Sequence, residues 1–159
     1  VWELSATEQE ARVEEDPSSA GDYLWLGRVS AWLNRLDEAE AHLAEAARLR
    51  PNNRAYQAQL GYVAALKGNE NEARRVMAWL DAQIDFTNRL SYKAIIADAL
   101  GEGDEAWSYL ANHWRYHEEN TVVRYNMASF RLWPFRTLRD HQPYRDLVWP
   151  SNRCAFPKF

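Results

Sequence analysis

Apolar and small residues recur along most of this chain at intervals of three and four, the spacing of one face of an α-helix. Proline, glycine and asparagine interrupt this spacing at regular intervals and mark turns. The pattern therefore predicts an all-α chain of short helices joined by tight turns. The predicted helices span residues 1–15, 20–34, 37–49, 54–67, 70–82, 88–100 and 104–116.

The pattern repeats at an offset of about 34 residues, since Leu26-Gly27 recurs as Leu60-Gly61 and Ala39 recurs as Ala73. A period of this length, with small residues at fixed places, is typical of stacked helical hairpins. Glycine on a helix face allows a partner helix to cross closely. A larger side chain at Gly27 should therefore overpack the crossing.

A third unit over 88–117 keeps part of the pattern, with a turn at 101–103 and a spacing one residue shorter. Beyond residue 118 the repeat is lost. There the sequence predicts a helix over 121–132, a short turn of helix over 135–139, a final short helix over 143–148 and a tail over 149–159.

Charge and composition exclude some classes of function. The 159 residues include 19 basic and 23 acidic residues, for a net charge of -4. This balance lacks the concentrated basic face of a nucleic-acid-binding protein, and no apolar run is long enough to span a bilayer. The single cysteine, Cys154, leaves the redox compartment open. No leader is visible, so a cytoplasmic location is the preferred expectation, and a start at Val1 suggests a piece of a longer protein.

The repeated residues resemble the tetratricopeptide repeat (TPR). The first unit carries the resemblance through Tyr23, Leu26-Gly27, Ala39, Leu43, Ala46, Leu49 and Pro51, and the second through Leu60-Gly61, Gly68, Ala73 and Met77. The second unit departs from the family at Gln57 and Asp85. The resemblance implies a right-handed superhelix of stacked antiparallel helical hairpins, an α-solenoid.

On this basis we expect one TPR-like domain over 1–159. Its parts are an N-terminal helix over 1–17, repeats over 20–53 and 54–87, a degenerate repeat over 88–117, and capping helices with a tail over 118–159.

The segment after the repeats resembles the end of TPR regions in bacterial multidomain signalling proteins. Those proteins include winged-helix transcriptional regulators, adenylate cyclases and protein kinases. The resemblance lies in Phe130, in Trp-Pro-Phe at 133–135, in Leu-Arg-Asp at 138–140 and in Pro143-Tyr144. It implies that the repeats belong to a larger signalling or regulatory protein, although no residues of an effector domain are present.

In TPR proteins the first helix of each repeat lines a concave groove. Carried over to this chain, the resemblance implies that a protein or peptide partner contacts Leu24, Arg28, Ala31, Trp32, Asn53, Gln59, Tyr62 and Leu66. Arginine beside aromatic side chains suits an extended peptide, or a helix with an acidic group, and makes Arg28, Trp32 and Tyr62 the predicted hot spot. The groove lacks the Lys and Asn array that clamps the C-terminal carboxylate of chaperones, so chaperone docking is not expected.

The predicted function is a non-catalytic scaffold for protein–protein interaction. One alternative is homo-oligomerisation, with the ends of the solenoid pairing two copies as a homodimer. Another is a small-ligand sensor, with an aromatic pocket between the repeats and the C-terminal segment. The aromatic, proline-broken tail over 149–159 suggests a further hypothesis, in which the tail occupies the groove.

The sequence offers no recognisable catalytic arrangement. It has no nucleophile elbow, no phosphate loop and no Ser/His/Asp pattern, so no enzyme activity and no cofactor are expected. His113 and His117 have a spacing that can place two imidazoles on one metal, but the sequence places no third ligand. We interpret them as structural or surface histidines and expect no metal.

Overall fold

The computed structural model describes residues 2–83, 88–118 and 135–148. All regular structure in these ranges is helical, which confirms the all-α class. The α-helices are α1 (Trp2–Glu15), α2 (Ala20–Trp32), α3 (Leu36–Leu49), α4 (Arg54–Leu66), α5 (Glu70–Asp81), α6 (Arg89–Ala99), α7 (Gly103–Glu118) and α8 (Gln142–Val148), and a 3-10 helix, η1 (Leu138–Asp140), precedes α8. The predicted helix over 121–132, the tail over 149–159 and Asp85 lie outside the described residues.

Helices α2 to α7 form three hairpins whose turns share one backbone geometry. Asn34, Gly68 and Gly101 each have a positive φ, at 62°, 78° and 87°. Asparagine and glycine are the residues that enter this left-handed region most readily, which explains the turn signals in the sequence. In each turn the next amide donates to a carbonyl five residues earlier and closes the preceding helix as a Schellman motif: Arg35 N to Ser30 O (2.8 Å), Asn69 N to Ala64 O (2.9 Å) and Glu102 N to Ala97 O (2.9 Å).

The hairpins pack in sequence order. Helix α2 contacts α4, and α4 contacts α6, so the first helices of the hairpins form a row. Each second helix also contacts the next first helix, α3 against α4 and α5 against α6. One apolar core continues through all three hairpins, and its members include the fully buried Leu43, Leu80, Ile96, Leu110 and Leu138.

Gly27 and Gly61 lie where the first helix of a hairpin crosses its partner. A Cβ added at Gly27 would lie 2.6 Å from Leu43 Cγ and 3.2 Å from Ala39 O. A Cβ at Gly61 would lie 2.6 Å from Val76 Cγ1. Carbon atoms in favourable contact are about 3.5–4.0 Å apart, so the predicted close approach is confirmed at both crossings.

Ion pairs on the surface connect neighbouring hairpins. Lys67 Nζ, just after α4, lies 2.7 Å from Asp37 Oδ1 and 2.5 Å from Glu40 Oε2 of α3. Arg74 of α5 pairs with Glu102, the residue before α7. Exposed pairs of this kind contribute about 0–1 kcal/mol each, so the packing of the hairpins depends mainly on the apolar core. Within the described residues, none of the helices combines the length and apolar character that a membrane crossing requires.

The crossing at Gly27 gives a stability prediction with an internal control. Gly27→Ala should lower the free energy of unfolding by about 1–3 kcal/mol, because the new Cβ pushes Leu43 and the backbone of α3 away from α2. Gly21→Ala, in the same helix, should leave it unchanged or raise it by up to about 1 kcal/mol, since nothing lies within 4 Å of the added Cβ. Urea denaturation of both variants measures the difference. Equal stability of the two would contradict the close crossing.

Candidate functional site

A buried carboxylate holds the C-terminal segment against the hairpins. Asp98, near the end of α6, is 3% exposed. Its Oδ1 accepts hydrogen bonds from Thr137 N (2.8 Å), Thr137 Oγ1 (2.6 Å) and Leu138 N (3.0 Å), and its Oδ2 accepts one from Arg136 N (2.6 Å). These charge-assisted bonds compensate the carboxylate for the water it loses on burial. Residues 135–140, which we call the C-terminal turn, are therefore fixed beside α6.

Apolar side chains anchor the same segment in the core. Phe135, Leu138 and Tyr144 are each at most 3% exposed and join the core that runs through the hairpins. The rings of Phe135 and Tyr144 meet edge to face, with centroids 5.4 Å apart. The ring of His141 lies against Trp107 of α7 at 5.2 Å. The C-terminal turn and α8 are thus part of the folded body.

A cleft of about 400 Å³ lies between the C-terminal turn and the first two hairpins. Its floor is formed by the buried residues Ala31, Tyr62 and Phe135, and the half-buried Trp32 forms one wall. Its rim is exposed and consists of Asn34, Arg136 and Arg139. The cleft therefore combines an apolar and aromatic floor with a cationic rim.

Three of the eight predicted contact residues, Ala31, Trp32 and Tyr62, line this cleft. Ala31 and Tyr62 are each 5% exposed, so they form the covered floor of the cleft. Trp32 is more accessible, and its ring packs edge to face on Trp25 with centroids 5.6 Å apart. This contact holds the Trp32 ring at the side of the cleft.

Gln59 lies beneath the surface of the hairpins. It is fully buried in α4 and is not among the residues that line the cleft. With its amide oxygen facing Arg28, it accepts hydrogen bonds from Nε at 3.3 Å and Nη2 at 3.2 Å. Gln59 therefore positions the half-buried Arg28, and Arg28 does not line the cleft.

The remaining predicted residues have structural contacts in the described chain. Leu24 and Leu66 are half-buried and pack on the apolar core. Asn53 is the N-cap of α4, and its Oδ1 accepts a hydrogen bond from Ala55 N at 3.0 Å. Contact between a partner and any of the eight residues stays a prediction.

Burial controls the ionisation of the tyrosines around the C-terminal turn. It raises the pKa of Tyr62 to about 12, with a smaller opposing effect from Arg136 and a smaller reinforcing one from Asp98. Burial likewise raises the pKa of Tyr144 to about 12, reinforced by Asp98 and opposed by Arg139. Both phenols are therefore neutral near pH 7, and the charges that the cleft presents are those of its arginines.

Sequence reasoning missed the contributions of Asp98, Arg136 and Arg139. The Leu-Arg-Asp motif at 138–140 was visible, but only as part of a resemblance. No local signal shows that Asp98 caps a turn 40 residues further along the chain. An aspartate near the C-terminal end of a helix, where it opposes the helix dipole, is the one signal that could have indicated an unusual role.

The described residues hold no cluster of three or more His, Cys, Asp or Glu side chains that would bind a metal ion. His113 is 3% exposed in α7, and the side chain of His117 lies outside the described part of the chain. Comparison of the chain with protein-family models and with curated proteins gives no match. The site is therefore interpreted from its own geometry.

The role of Asp98 can be tested by removing its acceptors. Asp98→Ala should lower the free energy of unfolding by about 3 kcal/mol, because the buried Leu138 amide and the part-buried amides of Arg136 and Thr137 lose a charged acceptor. Hydrogen exchange should show faster exchange of these three amides. Asp140 has an exposed carboxylate in the same turn, so Asp140→Ala is the control. It should change neither the free energy of unfolding nor the exchange rate of these amides. Unchanged amide protection in Asp98→Ala would contradict the capping role.

The buried tyrosines predict a loss of stability at high pH. Their pKa rises from 10.0 to about 12 on folding, so the folded chain keeps a phenol proton that the unfolded chain releases. Stability is fully present below pH 10 and falls as the pH rises from about 10 to about 12. Denaturation of the wild type and of Tyr62→Phe with Tyr144→Phe across this range tests the effect. The loss of stability should be smaller in the double variant. An equal loss in both proteins would contradict a role of the buried phenols.

Proposed function

We propose that this chain is a non-catalytic scaffold of the TPR type, a right-handed superhelix of hairpins that binds a segment of a partner protein. We further propose that it works within a larger signalling or regulatory protein. The shared turn geometry at Asn34, Gly68 and Gly101 and the row formed by α2, α4 and α6 support the repeat architecture. The resemblance of the repeated residues to TPR units supports the same conclusion.

One observation carries the binding function: the cleft beside the row of first helices. Its lining brings together Trp32, Tyr62, Arg136 and Arg139. Tryptophan, tyrosine and arginine are the residues most enriched at the centres of protein interfaces. A volume of about 400 Å³ is sufficient for one or two anchoring side chains of a partner.

A small-ligand sensor is the second candidate, and the same volume favours it. Pockets for small molecules usually measure about 300–1,000 Å³ and have apolar linings with a few polar groups. The cleft, at about 400 Å³, lies within that range. A thermal shift produced by a metabolite and lost with Trp32→Ala would favour this candidate over the scaffold.

Replacement of a single tryptophan tests the proposed function. Trp32→Ala should reduce the amount of partner captured from lysate of the native host by about tenfold or more, because Trp32 is the accessible wall of the cleft. Trp79→Ala is the matched control: Trp79 is 37% exposed on α5 and does not line the cleft, so capture should be unchanged.

Both variants are first compared with the wild type by circular dichroism and melting temperature. Partners identified by mass spectrometry are then purified, and their affinity for each variant is measured. Equal affinity of the wild type and a folded Trp32→Ala for every partner would rule out the cleft as the binding site.

A further inference from the structure

We propose that the cleft recognises an acidic segment of the partner, with carboxylates on Arg136 and Arg139 and a neighbouring apolar side chain on the floor. This inference rests on the proposed function, and it adds the chemistry of the ligand. It also adds residues outside the repeats to the site.

The two rim arginines differ from three of the other exposed arginines of the chain. Arg48, Arg74 and Arg75 each pair with a glutamate three or four residues away on their own helix. Within the described residues, the guanidinium groups of Arg136 and Arg139 form no ion pair. No acidic residue is among the described residues that line the cleft. An anionic ligand would supply the missing countercharge.

The backbone that carries the rim arginines is also held in place before any ligand binds. Backbone amides of Arg136 and of the next two residues donate to the buried Asp98 carboxylate. Both oxygens of that carboxylate accept hydrogen bonds from the turn and fix its backbone. Arginines on a fixed backbone lose less conformational entropy on binding than arginines in a mobile loop. Carboxylates are bound well by such groups, because guanidinium donates two parallel hydrogen bonds.

The floor of the cleft adds a second requirement for the ligand. Ala31, Tyr62 and Phe135 give an apolar surface, and the Tyr62 phenol is uncharged near pH 7. An apolar side chain next to the acidic group fits this floor, whereas a uniformly charged ligand leaves it unfilled. The inferred segment therefore has an apolar side chain next to its acidic group.

The charge of the whole chain favours a protein segment over a nucleic acid. Arg136 and Arg139 form a local cationic rim on a chain whose net charge is -4. A nucleic acid brings many phosphates along its length and needs an extended basic surface. A short acidic segment places its charge only at the rim and is not repelled along the rest of the surface.

A random peptide library selected on the intact chain tests the inference. We expect the retained peptides to be enriched in Asp and Glu next to apolar residues. Arg136→Glu with Arg139→Glu should weaken their binding by about tenfold or more. Binding to the wild type should also weaken as salt concentration rises, because ions screen exposed charges. Arg50→Glu with Arg115→Glu makes the same change of net charge at exposed positions away from the cleft and should bind as the wild type does.

The outcomes separate the inference from the proposed function. Peptides without acidic enrichment that are lost with Trp32→Ala but retained by the Arg136 and Arg139 variant overturn the inference and leave the scaffold function standing. Retention of no peptide from the library overturns both. Binding of a thymidine oligonucleotide that depends on Arg136 and Arg139, in place of peptides, overturns the inference in favour of a nucleic acid.

Discussion

The pairing of the Asp98 carboxylate with the backbone of the C-terminal turn is the interaction on which the candidate site depends. An aspartate that is 3% exposed is costly to bury unless donors replace its water, and the turn supplies donors from Arg136, Thr137 and Leu138. The turn also depends on the carboxylate, because buried amides of a non-helical segment need acceptors. Each group thus satisfies the other, and the position of the turn follows from the position of α6.

The hairpins determine where that carboxylate lies. Positive φ at Asn34, Gly68 and Gly101 reverses the chain after each first helix, and glycine at the α2 and α4 crossings brings the helices together. The turns and the glycine crossings involve only the backbone and small residues. They therefore fix the row of first helices almost independently of the side chains that project from it. The side chains of that row, Trp32 among them, are then available to bind a partner under the proposed function.

Local features of the sequence were sufficient to predict most helices, because caps, turns and close crossings are determined by residues near one another. Asn34 and Gly27 belong to this class. The candidate site was predicted less well, since it depends on contacts between distant parts of the chain. Helical periodicity places Gln59 and Tyr62 on a face, but it does not show that the C-terminal turn and Arg28 cover that face. Whether a face is open or covered is a tertiary property.

Under the proposed function, two sources of specificity meet at the cleft. The hairpins contribute the Trp32 wall and most of the floor, which favour apolar groups of many kinds. The C-terminal turn completes the floor with Phe135 and contributes Arg136 and Arg139, which favour negative charge. Apolar contact gives affinity with little discrimination, whereas an unpaired charge at an interface discriminates strongly because a neutral ligand leaves it unsatisfied. Under the same proposal, a protein with these hairpins and a different C-terminal turn would keep the Trp32 wall and change its ligand. The proposed specificity then lies in the turn that follows the hairpins, and Asp98 is the residue that joins this turn to them.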